Sequence, residues 1–531
     1  MTVCYENATV YTGTGKDADM FVVKDGRFVF VGNKDDAVSK WHDADHVNLH
    51  GCFVCPGFVD SHMHLLNIGG MLMQAPLAKS SLREMLEALR QFAAGHPDSP
   101  FITGRGFNQD HFTDENRFPT RDDLDAVCPD KPCLITRVCG HVAVANSAAL
   151  ALAGIDKTTQ PIEGGSVQTD SAGRPTGVLS ENAIGLVSSL IPCPTRAEIK
   201  ERLVLAMELV NGYGITSVHS DDLSTTDAPF EEVIAAYQEL KAEGRMSVRV
   251  IEQCMLPTEE ALNRFLSAGY KTGWGDDLFR IGPLKLLVDG SLGARTALLR
   301  SPYDDDPGNT GIATYSQEAL DSLILTAHRA GMQIAVHAIG DAGCDMVLDA
   351  FEAAMTAHPR KDARHGIVHA QITNHAQIER MKRLGLHAYI QSIFLDYDTM
   401  IVRQRIGSRA LEAYPAASLL STGVTMSNGS DSPVEPPFVL AGIQCAVTRR
   451  SYTRTSESAY LPEEALTLSQ ALNSYTSAGA YASFQEHTKG LIQEGYLADF
   501  TVLRTDPFET DPSELHRIPI ESVYMNGIRR R

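Results

Sequence analysis

Between residues 53 and 430, eight short apolar runs recur, and the later ones alternate with helical patterns. That alternation constrains the fold most. Strands separated by helices pair in parallel, and crossover helices then cover the sheet. The runs are Phe53–His62, Ile215–Ser220, Ser247–Gln253, Leu284–Asp289, Gln333–Ala338, Gly366–Ala370, His387–Gln391 and Val424–Ser430, with helices expected at Gln317–Ala330 and Ala342–Ala357. Eight β/α units predict an α/β fold, a (β/α)8 TIM-type barrel whose site lies at the strand C-terminal ends.

One spacing is too wide. About 150 residues separate the first two runs, far more than a single crossover needs. Residues 67–195 are therefore expected to form an inserted α/β subdomain covering the barrel mouth, with a helix at Ser81–Ala94 and a strand at Cys133–Cys139. Its apolar residues Met71, Leu72, Met73, Phe107 and Phe112 suit either a hydrophobic pocket or a core. Both chain ends read as β: Ala8–Tyr11, Asp19–Val23 and Phe28–Val31 at one end, Asp499–Leu503 and Ser522–Met525 at the other. Residues 1–56 with 490–531 are expected to make one small composite β-sandwich, and residues 57–489 the barrel. Ser451–Ser458 reads as a loop near the site.

A chain of 531 residues is long enough for this architecture, and 43% apolar with 21% charged residues is a globular composition. No apolar run is long enough to span a bilayer, and Met1–Asp17 has no secretory pattern. A formal charge of −20 argues against nucleic acid and anionic membrane as partners. The expected partner is a small-molecule substrate, with a homodimer as a family-level expectation. The ten cysteines show no disulfide rhythm, so reduced thiols and a cytoplasmic location are expected. Cys52 and Cys55 are read as structural.

The first run ends in His62-Met63-His64. Residues two apart on a strand share a face, so these imidazoles converge. The fourth run carries Lys285, an expensive residue in an apolar strand unless paired or chemically altered. His337 lies on the fifth, His369 on the sixth, and Asp431 just beyond the eighth. Each alone also reads as a satisfied core residue. Six ligand-type side chains at one mouth predict a metal centre, and imidazole with carboxylate suits zinc and its neighbours.

The segments Pro56–His64, Lys285–Ala297, His337–Asp341 and Gly429–Val434, with Gly140-His141 and Asn146–Leu150 in the insertion, resemble the amidohydrolase superfamily, in its YtcJ-like branch that includes N-substituted formamide deformylases. The resemblance spans essentially the whole chain. It implies a distorted barrel and hydrolysis of an amide-type carbon–nitrogen bond at one or two zinc ions. The implied ligands are His62, His64, His337, His369 and Asp431, with Lys285 N-carboxylated to bridge two metals. Asp431 is expected to be general base and then acid, and His141 to assist at the oxyanion. Unmodified, Lys285 has Asp289 as its candidate partner along the strand. Glu181, Asp289, Arg295 and Gln391 are candidates for substrate contact, Arg295 alternatively as a loop anchor and Asp341 as a helix cap. Two other readings stay open. Mononuclear deaminases of the same superfamily expect a glutamate where Gly340 stands, and a regulatory protein on the same fold is expected to have lost ligands.

Overall fold

A computed structural model describes all residues except 1, 35–40, 42, 161, 163, 224, 225, 227 and 455–457, together with the side chain of residue 17. It divides into two compact units, Met1–Leu66 with Leu203–Arg531, and Asn67–Arg202.

The larger unit holds the barrel. Its strands are Phe58–Met63, Ile215–Ser220, Arg249–Met255, Phe279–Leu287, Ile334–Ala338, Gly366–His369, His387–Ile390 and Thr425–Asn428. All pair in parallel, each beside its successor in the chain. The first and last strands are joined beyond their C-terminal ends: Asp431 N–H donates to His62 O and His64 N–H to Ser432 O, both at 2.8 Å. The strand burial patterns are almost unbroken, as expected when helices cover one face and side chains fill the other. The helix Gln317–Arg329 begins where Ser316 accepts from Ala319 N–H, and it buries Leu320, Leu323, Ile324 and Ala327, an i, i+3, i+4, i+7 stripe.

Both chain ends build one further sheet of seven strands. In order across it run Ile528–Arg529, Ile520–Met525, Phe500–Leu503, Asp45–Pro56, Thr2–Tyr11, Asp17–Lys24 and Arg27–Gly32. Tyr5, Phe21, Phe28, Phe500 and Tyr524 form its aromatic core. The sheet is tied to the barrel by a buried fork: Arg249 Nε and Nη2 donate to the two oxygens of Asp499 at 2.6 and 2.9 Å.

The run expected as one strand over Phe53–His62 divides at Gly57. Phe53–Pro56 pairs antiparallel with Phe500–Leu503 in the terminal sheet, whereas Phe58–Met63 opens the barrel. A Cβ at Gly57 would lie 2.3 Å from Thr216 Oγ1, so only glycine fits where the chain changes sheets.

The unit Asn67–Arg202 has its own six-stranded sheet and its own core, in which Phe107 and Phe112 are buried; Met71 and Leu72 are exposed. All ten cysteines are free thiols, with Cys55 Sγ donating to Thr501 O.

Candidate metal centre

His62, His64 and Asp431 each offer a ligand atom within 4.8 Å of the other two. Asp431 Oδ1 lies 3.3 Å from His62 Nε2 and 3.1 Å from His64 Nε2. Their convergence comes from how two motifs interlock. The buried Asp60 carboxylate accepts from Ser430 N–H at 3.1 Å and from His62 N–H at 3.2 Å. A Cβ on Gly429 would lie 2.6 Å from His62 N, so the Gly429-Ser430-Asp431 turn reaches the histidines only because its first residue has no side chain. Burial pushes Asp60 up to about 7. Asp431 and His369 both have positive φ, +57° and +74°, a left-handed backbone of the kind that clusters at functional sites.

His369 extends the group, its ring centroid 5.7 Å from that of His62, and His337 follows at 4.4 Å from His369. Each of the four imidazoles is fixed through one nitrogen. His62 Nδ1 meets Gln253 Oε1 at 2.6 Å, and the amide end of Gln253 is assigned by its donation to Ser61 O. His64 Nδ1 meets Asp221 O at 3.2 Å, and His369 Nδ1 meets Gln391 Oε1 at 2.7 Å. His337 Nε2 faces two acceptors, Gly290 O at 3.0 Å and Asp289 Oδ1 at 3.3 Å. An acceptor on one ring nitrogen places the proton there, which leaves the other nitrogen as a bare lone pair.

Two such lone pairs, on His62 and His64, therefore face the Asp431 oxygen. Three acceptors this close repel one another unless a proton or cation lies among them, so the donor set fits a divalent cation. Burial lowers His62 and holds His369 well below the ordinary imidazole value. Burial also pulls on His64, but the Asp431 carboxylate more than offsets it and the net shift is upward. Asp431, despite burial, is held well below the carboxylate range by His62 and His64.

Lys285 is 1% exposed on the fourth strand. Burial lowers its amine, opposed by the charges of Asp221 and Asp431. Asp289 is committed elsewhere: Oδ1 accepts from Ile339 N–H, and Oδ2 from Gly340 and Leu298 N–H, at 2.7–3.0 Å. It staples the loops after the fourth and fifth strands, and this is the use of Asp289 that the structure shows. Gln391 is turned to His369 and to Tyr389 O, and so positions a histidine. Arg295 forks onto Asp305 at 3.0 and 2.9 Å and so anchors its loop. The N-cap of the helix Asp341–Ala357 is Gly340; Asp341 stands one residue inside and accepts from Arg300 and Ala342 N–H.

In the inserted unit His141 and Glu181 come together, Nδ1 to Oε2 at 3.0 Å, on neighbouring strand ends. Both are exposed, and Glu181 raises the imidazole above its ordinary value. Of Ser451–Ser458, Ser451 and Thr453 bond to Asp396, while residues 455–457 lie outside the described residues. Sequence reasoning missed Gln253, Asp221 and Asp60. Gln253 had a signal, since like Gln391 it closes an expected strand.

The amidohydrolase family model matches residues 45–529. A Bacillus subtilis (strain 168) protein named "Putative amidohydrolase YtcJ" is 34% identical over 537 residues, 99% of each chain. The N-substituted formamide deformylase of Arthrobacter pascens is 28% identical, over 99% of this chain and 97% of that one. The crystal structure of an uncharacterized metal-dependent hydrolase from Pyrococcus furiosus matches with a TM-score of 0.80 at 30% identity, covering 96% of this chain and 100% of that one. Sequence match, barrel topology and histidine placement lead to one assignment: this chain is a member of the amidohydrolase family.

Proposed function

We propose that this protein is a metal-dependent hydrolase that cleaves a carbon–nitrogen bond other than a peptide bond, of the amide or N-substituted formamide kind. The observation that supports this most is the convergence of two imidazole nitrogens, His62 Nε2 and His64 Nε2, on one carboxylate oxygen of Asp431 at 3.3 and 3.1 Å. His62, His64 and Asp431, with His337, His369 and Lys285, are the residues that would hold one or two zinc ions. Such an ion supplies Lewis acidity and a water of lowered pKa. Burial lowers the Lys285 amine, and the neutral amine is the form that adds carbon dioxide to give a carbamate.

Asp431 enters the reaction ionised, so it begins as a proton acceptor. It takes the proton of the attacking water and returns it to the leaving nitrogen, which must be protonated to depart as an amine. His141 is proposed as hydrogen-bond donor to the carbonyl oxygen as it becomes negative, with Glu181 favouring its protonated form. The inserted subdomain is proposed to select the substrate.

The deaminase reading is disfavoured at Gly340. A Cβ there would lie 1.9 Å from Leu298 O, so no glutamate fits.

The test is metal analysis of purified protein joined to a hydrolysis panel of N-substituted formamides, N-acyl amino acids and cyclic amides. About one to two zinc ions per chain and turnover of at least one amide class are expected. A folded protein that takes up no divalent metal and hydrolyses none of them overturns the proposal.

A further inference from the structure

The N-terminal end of the barrel, away from the histidines, holds a cavity of about 240 Å³. In barrels of this kind that end serves stability. Its wall includes Thr272, Gly273, Arg280, Arg360, Asp362 and Phe484. Arg280 is the second residue of the fourth strand; its Nε is buried and meets no acceptor among the described residues. A donor nitrogen withdrawn from water without an acceptor is costly, which makes its position informative.

The other polar groups of the wall are already occupied. Arg360 gives its N–H groups to the carbonyls of His328, Met332 and Gly331, so it is anchored by neutral acceptors that leave its charge uncompensated. Asp362 is forked by Arg364 at 2.8 Å on both oxygens. Thr272 Oγ1 donates to Gly282 O and accepts from Gln333 N–H. Lys489 is nearby: burial, with Arg249 and Arg280 adding to it, lowers its amine to about 7. Two guanidinium groups, neither paired with a carboxylate among the described residues, thus share one pocket in a chain of net charge −20.

We propose that this cavity is a binding site for a small oxyanion, a phosphate or a carboxylate, received by the open fork of Arg280 and the charge of Arg360. A guanidinium offers parallel N–H groups that match two oxygens of either anion. The site is separate from the hydrolytic residues, so its ligand stabilises or regulates the protein and is not consumed.

The test uses full-length protein at constant ionic strength, titrated with inorganic phosphate and, separately, with acetate, by calorimetry and thermal denaturation. Saturable binding of at least one of the two with a rise in Tm is expected, and the arm that binds identifies the anion. Arg280→Gln should weaken that binding by about tenfold or more, with amide hydrolysis unchanged. Arg280→Lys, which keeps the charge and loses the fork, serves as a second variant and should bind with intermediate strength. Failure of both anions to bind the wild type, or equal binding by folded Arg280→Gln, overturns the proposal.

Discussion

Gln253 Oε1 accepts the Nδ1 proton of His62 at 2.6 Å, and this one bond fixes which nitrogen of the histidine is bare. Replacing Gln253 by leucine keeps the bulk and removes the acceptor. Zinc affinity should fall roughly 10- to 100-fold, as for other outer partners of metal-bound histidines. Competition with a chelator measures it; an unchanged dissociation constant would show that tautomer control does not matter here.

Asp431→Asn keeps the shape and removes the proton acceptor. Turnover should fall by roughly 10²- to 10⁴-fold while the circular dichroism spectrum stays that of the wild type. Residual activity above a tenth of the original would exclude Asp431 as the base.

Lys285→Ala separates the two chemistries open to that amine. If the carbamate forms, the wild type holds about two metal ions and the variant about one, with activity partly restored by short carboxylic acids. Equal metal content in both proteins would mean the lysine acts as a simple charge toward Asp221 and Asp431.

Arg249 and Asp499 are 1% and 5% exposed. Asp499→Leu leaves a buried guanidinium without its counter-ion and should destabilise the fold by about 3–5 kcal/mol. Combining it with Arg249→Met should recover most of that loss. Additive losses in urea denaturation would contradict a mutual pairing.

Lys489 supplies a pH test. It is buried against Ser217, and its amine is lowered to about 7 from 10.5, chiefly by burial. The folded chain releases this proton near pH 7, whereas the unfolded chain keeps it to about 10.5. Between these limits the unfolded state binds more protons, so the contribution of Lys489 to stability rises with pH. Lys489→Met should stabilise the protein at pH 7, and that advantage should shrink by on the order of 2–3 kcal/mol by pH 9. An advantage independent of pH would show that the lysine is charged when folded.

Much of this was legible from the residues. The barrel strands were readable because each is an apolar run closed by a turn; Ile215–Ser220 matches residue for residue, and the others shift by a few positions at one end or both. The division at Gly57 was not readable, because periodicity reports burial and not which partner a strand takes; Phe53 and Phe58 are equally buried in different sheets. The four histidines of the candidate site stood out as polar residues ending apolar strands. Asp289 looked the same, and only the loop amides that fold back onto it show its structural use. Asp221 was silent because a backbone carbonyl carries no chemical signature until a histidine is seen beside it, whereas Gln253 stood, like Gln391, at the end of an expected strand.

The strand Asp45–Pro56 finds its partner Phe500–Leu503 only after residues 57–499 have been made. At roughly 5–20 residues per second, the growing chain carries an open β-edge for about 20–90 s of translation. The earliest segment to leave the ribosome is thus among the last to be completed, and that interval is when this protein is most exposed to aggregation or chaperone capture.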